Sequence, residues 1–482
     1  MSPLPAAPLP GAEPAAEDLQ GRLDLLRAAF RKSAPLDHRA RSEALGALES
    51  ALLRNEAALV DALKQDFGAR ARQETQILEV FPTLDEIRHI RRHLKGWMRP
   101  RSVLANWQIW PSRARVVYQP LGVVGILGAW NYPILLTLSP LANALAAGNH
   151  AMVKPSELAP ATAEVIGRMI AETFPPDYVT VVTGGAELGA AFSALAFDHI
   201  IFTGSARVGK LVMAAAAENL TPVTLELGGK SPTIIADDFD VDEAASRILY
   251  TKYVNAGQTC LAPDYLCIPE GKRDQFVAAA KKILPERYPD TNSSQYTSVI
   301  DEKSYRRLRA TLEDAEKKGA TVVPLVPGMT FNDELRKFPP HLVLDVTDDM
   351  LIMQEEIFGP LFPIKTYEDL QEVLDYVNDR DRPLGLYLFT NDRTVQDRVV
   401  YGTISGGVTI NNCMMHIAQH DMPFGGVGAS GIGHYHAKEG FLEFSKVRPV
   451  HTNPRWSMQH QTYPPYNKSH TRMFDFLMKW MR

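Results

Sequence analysis

The stretch His199-Ile-Ile-Phe-Thr-Gly-Ser-Ala-Arg-Val-Gly-Lys210 decides the fold. His199–Phe202 is a short, mostly apolar run, the pattern of a strand covered on both faces. A glycine-containing turn follows, and the pattern beyond it, Ser205–Ala217, is helical. Free backbone N–H groups and the helix dipole at such a turn suit a pyrophosphate. Gly204-Ser205-x-x-x-Gly209-Lys210 is not the strict spaced-glycine fingerprint, however, and an ordinary strand-to-helix turn reads the same way. The pattern alone does not choose between them.

Working outward, the same alternation recurs. Leu121–Leu127, Ala151–Val153, Tyr178–Val182, Val223–Leu227 and Thr233–Ala236 read as strands, and Pro133–Ala147 and Ala161–Thr173 as helices. Strand–helix–strand repetition predicts parallel pairing in a doubly wound sheet. A second run follows, with helices at Asp242–Tyr253 and Ser304–Lys318, strands at Tyr265–Ile268, Thr321–Val326 and Leu342–Val346, and another strand–helix–strand unit over Pro363–Thr390. Upstream, Leu19, Leu23, Leu26 and Phe30 recur at helical steps, and Gln73–Trp97 is a long amphipathic stretch interrupted by Pro82. The predicted division is a tail over 1–16, a first α/β domain from 17–111 and 122–227, and a second over 228–430. The boundary falls at Gly228-Gly229. Arg113–Leu121 and Lys446–His451 read as extended and fit neither domain; they pair with each other or with a partner subunit. Residues 112–121 and 431–482 are therefore assigned to an arm and a C-terminal tail.

The bulk properties exclude several classes of function. A chain of 482 residues exceeds a single ordinary core. A net charge of −5 lacks the basic excess of a general nucleic-acid binder. No apolar run reaches the roughly 18 residues of a membrane span. Met1–Ala16 is rich in Pro and Ala, without the positive start and apolar core of a secretion signal, and reads as a disordered tail. Three cysteines, Cys260, Cys267 and Cys413, make neither a disulfide framework nor a zinc site, and fit a reducing compartment such as the cytoplasm. His434 and His436 are a weak metal signal, so no metal is expected.

Chemistry is carried by a few short stretches. Cys260 closes Asn255-Ala-Gly-Gln-Thr-Cys260, a polar loop that can expose a usable thiolate; a lone cysteine in an α/β protein is more often a buried small hydrophobe. Glu226 stands between two leucines in Leu225-Glu-Leu-Gly-Gly-Lys230, where burial raises a carboxyl and makes it a general base; a loop-capping Glu fits the same pattern. Trp130-Asn-Tyr-Pro133 and Val153-Lys-Pro-Ser-Glu157 follow strands, where a doubly wound sheet faces its ligand crevice.

Taken together, WNYP, KPSE, FTGS, LELGGK and GQTC in this order resemble the aldehyde dehydrogenase superfamily. Glu355-Glu-Ile-Phe-Gly-Pro360 and Pro423-Phe-Gly-Gly-Val-Gly428 add to the resemblance, which runs from about Leu23 to His451. Leu261-Ala-Pro-Asp-Tyr265 and Tyr463-Pro-Pro-Tyr466 are similar to the dimeric class 3 branch, and within it the chain is most similar to bacterial coniferyl aldehyde dehydrogenases. The resemblance implies a Rossmann-like cofactor domain, a second α/β catalytic domain and a small β-strand oligomerisation arm. It implies NAD(P)-dependent oxidation of an aldehyde, aromatic or medium-chain, to the acid.

It also implies roles: Cys260 as nucleophile, Glu226 as general base, and Asn131 as the oxyanion-stabilising amide. Lys154 and Glu157 would contact the adenosine ribose, Gly204, Ser205 and Gly209 the pyrophosphate, and Glu356 and Phe358 the nicotinamide end. Tyr132, Tyr253, Asn412 and Met415 are expected around the substrate. NAD is the first choice of cofactor and NADP the alternative. The expected partners are the aldehyde, a second subunit in a homodimer, and a weak membrane-surface contact through the basic, apolar tail His470–Arg482, for which packing on the second subunit is the competing reading. Two rival functions remain at this stage: a CoA-acylating relative, which commonly lacks the base, and an inactive structural relative, which loses the nucleophile or base.

Overall fold

The computed structural model describes residues 16–456, 459 and 462–482. The tail expected over 1–16 lies outside the described residues as far as position 15, and Ala16 opens the first helix, Ala16–Lys32.

Six strands form the first sheet, in the order Gly431–Ile432, Val223–Glu226, His199–Thr203, Val123–Leu127, His150–Lys154 and Val179–Val181. All pairs are parallel except that of Gly431–Ile432 with Val223–Glu226. The chain enters at Val123–Leu127, winds outward through His150–Lys154 and Val179–Val181, then returns to His199–Thr203 on the other side. The loops after the two adjacent strands therefore diverge, and ligands of doubly wound sheets bind in the crevice this opens. Side chains alternate between two cores. Val123, Leu127 and Met152 pack with Leu19, Leu23 and Leu26 of the first helix. Val124, Ile126, Ala151 and Val153 pack under the helices His38–Phe67, Phe81–Trp97, Leu135–Ala147 and Pro160–Thr173. Each buried leucine contributes about 1.5–3 kcal/mol relative to exposure.

The second sheet has seven strands, in the order Thr321–Pro324, His341–Leu344, Leu361–Tyr367, Tyr265–Pro269, Pro232–Ile235, Gly385–Phe389 and Gly407–Ile410. Only its first pair is antiparallel. This is the α/β architecture expected from the sequence.

The two unassigned extended stretches pair with each other. Arg113–Pro120 runs antiparallel to Ser445–Thr452, with Ser445 opposite Pro120 and Thr452 opposite Arg113. Arg101–Val103 extends this arm on its other edge, so it begins earlier than position 112. The expected arm was also too long at 431–444. Gly431–Ile432 belongs to the first sheet, which Gly431 reaches because it has no Cβ; one would stand 2.4 Å from the Leu225 carbonyl oxygen. Ala437–Glu443 packs on Leu135–Ala147. Nor does Pro82 break the stretch 72–97. The backbone widens into a π turn at Gln76–Val80 and resumes directly as Phe81–Trp97, with Pro82 its second residue.

The tail forms a helix, Lys468–Trp480, capped by Asn467, with Phe476, Met478 and Trp480 exposed. Trp480 meets Trp107 edge-on at 6.1 Å between ring centres. Among the described residues, no helix is long and apolar enough to cross a membrane.

Arg41 closes the C-terminal end of Leu135–Ala147. Its buried guanidinium donates to the carbonyls of Ala146 and Ala147 at 3.1 and 2.7 Å and to that of Leu36 at 2.9 Å. Arg41→Met should destabilise the protein by about 3 kcal/mol through the loss of charge-assisted bonds to buried carbonyls. The check is the unfolding midpoint in urea or on heating, and an unchanged midpoint would contradict this assignment.

Candidate active site

Two loops leave the first sheet at its switch point. After Val123–Leu127 the chain passes Asn131 and Tyr132 into the helix Leu135–Ala147; after His199–Thr203 it turns at Gly204-Ser205 into Ala206–Ala217. Asn131 is buried, and its side-chain amide donates to the Gln258 carbonyl at 3.3 Å. The Tyr132 and Thr259 hydroxyls share a 2.6 Å hydrogen bond. The first loop is thereby tied to the segment that carries Cys260, which leads into the second sheet.

That segment is an unusual turn. Asn255, Ala256 and Gly257 have φ values of +52°, +52° and +74°. The left-handed region costs a non-glycine residue about 1–2 kcal/mol, so the turn persists only because its surroundings hold it. The Asn255 N–H donates to the Glu74 carboxylate, and the Asn255 amide donates to the carbonyls of Gln258 and Asn131 at 3.1 and 3.2 Å. The Gln258 amide donates to the carbonyls of Asn255 and Ser298, both at 3.0 Å, and its oxygen accepts from the Ile300 N–H at 2.9 Å. At Gly257 a Cβ would stand 2.3 Å from the Gly359 carbonyl oxygen, so only glycine fits. The turn delivers Cys260 half-buried. Burial pushes its thiol up to about 12, with Glu356 and Glu226 adding to the effect and the N–H groups of Cys260 and Leu261 opposing it.

Glu226 ends the strand Val223–Glu226. It is buried, and neither carboxyl oxygen has a hydrogen-bond partner among the described residues. Burial raises this carboxyl well above the ordinary range, and nearby Glu443 adds to it. Glu226 and Cys260 line one cavity of about 320 Å³, together with Tyr132, Thr259 and an apolar wall that includes Leu78, Phe81, Leu136, Met415 and Phe424. The Asn131 amide is bonded to the Gln258 carbonyl, two residues before Cys260.

The remaining predicted residues sit around the crevice. Lys154 ends its strand buried, and its Nζ meets the half-exposed Glu157 carboxylate at 2.9 Å. Burial would raise the Glu157 carboxyl, but the bond to Lys154 outweighs it and holds the group below its usual range. The Gly204 N–H donates to the Glu226 carbonyl at 3.0 Å. Ser205 caps Ala206–Ala217. Gly209 packs so closely on Leu227 that a Cβ would stand 2.8 Å from it. The Glu356 carboxyl lies against Gly228, where a Cβ would stand 2.2 Å away, and burial aided by Asp264 raises it to about 8. The Phe358 ring meets Trp130 at 5.3 Å. Ala206, Gly228, Gly229 and Glu356 share a cleft of about 590 Å³. A helix N-terminus capped by Ser205, and glycines beside Glu356 in the same cleft, are chemistry that fits a dinucleotide.

The sequence profile of the aldehyde dehydrogenase family matches residues 12–450. The chain belongs to the aldehyde dehydrogenase family. It is 48% identical over 444 residues to a probable coniferyl aldehyde dehydrogenase of Pseudomonas aeruginosa, covering 92% of each chain. It is 44% identical over 445 residues to a coniferyl aldehyde dehydrogenase of a Pseudomonas species, again covering 92% of each. The substrate-bound structure of Staphylococcus aureus AldH superposes with a TM-score of 0.90 at 38% identity, over 95% of this chain and 99% of that one. A Mycobacterium tuberculosis aldehyde dehydrogenase complexed with NAD⁺ superposes with a TM-score of 0.82 at 27% identity, over 92% and 91%. The protein is thus an oxidoreductase that oxidises aldehydes with NAD(P).

Two of the residues expected around the enzyme's substrate are elsewhere. Tyr253 is wholly buried in the second core, where its hydroxyl donates to the His341 carbonyl at 3.1 Å. The preceding residues, Tyr250 and Thr251, line the cavity instead. The Asn412 side chain accepts from the N–H of Cys413 at 2.8 Å, a local turn that keeps it out of the lining. Arg70, Glu74 and Glu79, which hold the two loops from behind, carried no signal in the pattern. Asp85 and His420, which bond at 2.9 Å and line the cavity, carried none either. Among the described residues no group of three His, Cys, Asp or Glu could hold a metal ion.

Only a thiolate is alkylated readily. Alkylation of Cys260 by iodoacetamide in the ligand-free enzyme should therefore keep accelerating beyond about pH 9, whereas a plateau below about pH 8 would show that burial does not raise this thiol.

Proposed function

We propose that the enzyme oxidises an aryl aldehyde of the coniferyl type to its acid with NAD, through a thioester on Cys260. The observation that carries this reading is the cavity lined by both a half-buried thiol and a buried carboxyl that has no hydrogen-bond partner among the described residues. The Cys260 thiol loses its proton to solvent, and the resulting thiolate attacks the aldehyde carbon, forming a C–S bond and leaving the carbonyl electron pair on oxygen as an oxyanion. The Cys260 backbone N–H and the second N–H of the Asn131 amide, the one not bonded to Gln258, are the donors for that oxyanion. Bound NAD supplies the acceptor for the hydride that the aldehyde carbon loses, which leaves a thioester on the sulfur. Glu226, after its own proton has passed to solvent, takes a proton from water, the hydroxide oxygen bonds to the thioester carbon, and the C–S bond breaks to release the acid and the thiolate. Burial disfavours the charged form of Glu226, and while the carboxyl is neutral it does not repel the thiolate.

Lys154 and Glu157 are assigned to the adenosine ribose, Gly204, Ser205 and Gly209 to the pyrophosphate, and Glu356 and Phe358 to the nicotinamide end. The Glu157 carboxylate favours NAD over NADP by repelling a 2′-phosphate. The first sheet and its helices then form the dinucleotide domain, the second sheet the catalytic domain, and the three-stranded arm the oligomerisation element. Ser445–Thr452 is an edge strand with no outer partner among the described residues, which supports pairing with a second copy in a homodimer. The exposed Phe476, Met478 and Trp480 support packing of the tail helix on that copy, with a membrane surface as the alternative. The thiol chemistry suits a reducing compartment such as the cytoplasm. Phe81, Tyr132 and Phe424 in the cavity wall, and the names of the Pseudomonas relatives, support an aryl substrate.

Cys260→Ala should abolish aldehyde oxidation while leaving NAD binding intact. Glu226→Gln should permit one burst of NADH and then stall; a steady-state rate equal to wild type would remove Glu226 as the base. Across a panel of aldehydes, kcat/KM for coniferaldehyde should exceed that for acetaldehyde by about a hundredfold or more, because each apolar group that fits the pocket is worth about 1–3 kcal/mol. A flat profile, or a preference for short aliphatics, would defeat the aryl assignment.

A further inference from the structure

We infer that Arg70 is a positioning residue that sets the Asn131 amide through the Asn131 main chain; the inference rests on the oxyanion role proposed for Asn131. Arg70 and Glu79 form an ion pair at 2.9 Å with both side chains wholly buried. The pair grips the loop at two points. Nη1 of Arg70 donates to the Asn131 carbonyl at 3.1 Å. Oε2 of Glu79 accepts from the N–H groups of Ile134 and Leu135 at 2.8 and 3.4 Å. Between these points the guanidinium lies over the Tyr132 ring, 5.2 Å from its centre. The Asn131 side chain thus leaves a backbone held immediately at its own residue and again three residues on.

The same segment holds the nucleophile's loop. Glu74, four residues from Arg70, accepts from the Asn255 N–H and from the Thr297 hydroxyl. The Asn255 amide donates to the same Asn131 carbonyl that Arg70 binds. Residues 70–79 are therefore a common anchor for the two loops whose relative placement determines whether an oxyanion formed on Cys260 meets an N–H. The π turn at Gln76–Val80 contains Glu79, and such turns concentrate at functional sites because they re-aim side chains. Stability alone is a weak reason for this arrangement, since a buried ion pair is often no more stabilising than apolar residues of equal volume.

The test uses Arg70→Lys, which keeps the charge facing Glu79 but lacks the forked geometry that also reaches the Asn131 carbonyl. Pre-steady-state NADH formation is measured for wild type, Arg70→Lys, Asn131→Ala and the double variant, together with the aldehyde KM. Asn131→Ala should slow the hydride phase by about 10²–10³-fold, the effect of losing an oxyanion donor. Arg70→Lys should slow it by about a hundredfold, as misplacement of a positioned group does, with KM changed by less than about twofold. If Arg70 acts through Asn131 the effects do not multiply, and the double variant should match Asn131→Ala within about twofold. A wild-type rate for Arg70→Lys, or full multiplication of the two effects, overturns the inference and leaves the Asn131 role standing. A wild-type rate for Asn131→Ala removes that role, and the inference with it. If Arg70→Lys does not fold, Glu79→Gln takes its place with the same expected pattern, because its amide oxygen can still accept from Ile134. Failure of both variants to fold overturns the inference, since the pair is then an element of stability alone.

Discussion

A buried polar atom without a partner costs about 1–3 kcal/mol, and among the described residues neither oxygen of the Glu226 carboxyl has one. The fold keeps the group there by main-chain means. Its strand lies between His199–Thr203 and Gly431–Ile432, its carbonyl accepts from the Gly204 N–H, and the next residue's N–H donates to the Ser430 carbonyl. The backbone on both sides is committed while the side chain faces the cavity. Burial favours the neutral form of a carboxyl so placed and makes it a stronger base when ionised, the property proposed for activating water beside a thioester.

The second constraint is that the proposed chemistry draws on groups from both halves of the chain. The first sheet delivers Asn131 and Glu226; the left-handed turn at Asn255–Gly257 delivers Cys260. Neither loop is held by its own sheet alone. Gln258 and Asn255 bind Asn131, Thr259 binds Tyr132, and Lys230 joins Asp264 and the carbonyls of Ile352 and Glu355. The Gly228–Lys230 loop is thereby locked to the one that carries Glu356 and Phe358.

The fold was legible where the signal is local. Apolar runs punctuated by glycine turns place His199–Thr203 and its helix correctly, and parallel winding follows from their alternation. The arm's partner was open because an extended stretch does not say which strand it meets, and its limits were wrong because Gly431 joins a sheet through a backbone approach that leaves no hydrophobic pattern. At the site, Glu226 taken singly had an equally good structural reading and Cys260 a better one; only the ordered set of motifs pointed to catalysis. Tyr253 and Asn412 were misplaced because the direction of a side chain at an element end depends on tertiary partners, here His341 for Tyr253. Arg70, Glu74 and Glu79 were invisible for the same reason: their partners lie 61, 181 and 55 residues away.

The central claim is that the aldehyde becomes bonded to Cys260 and is freed by Glu226. The most direct measurement is mass mapping of peptides from the Glu226→Gln variant, denatured in acid during exposure to NAD and an aryl aldehyde. The account predicts an acyl mass increment on the peptide carrying Cys260 and none on those carrying Cys267 or Cys413, with the increment absent when NAD is omitted. An acyl group on either of the other cysteines, or none anywhere while NADH accumulates, would contradict it.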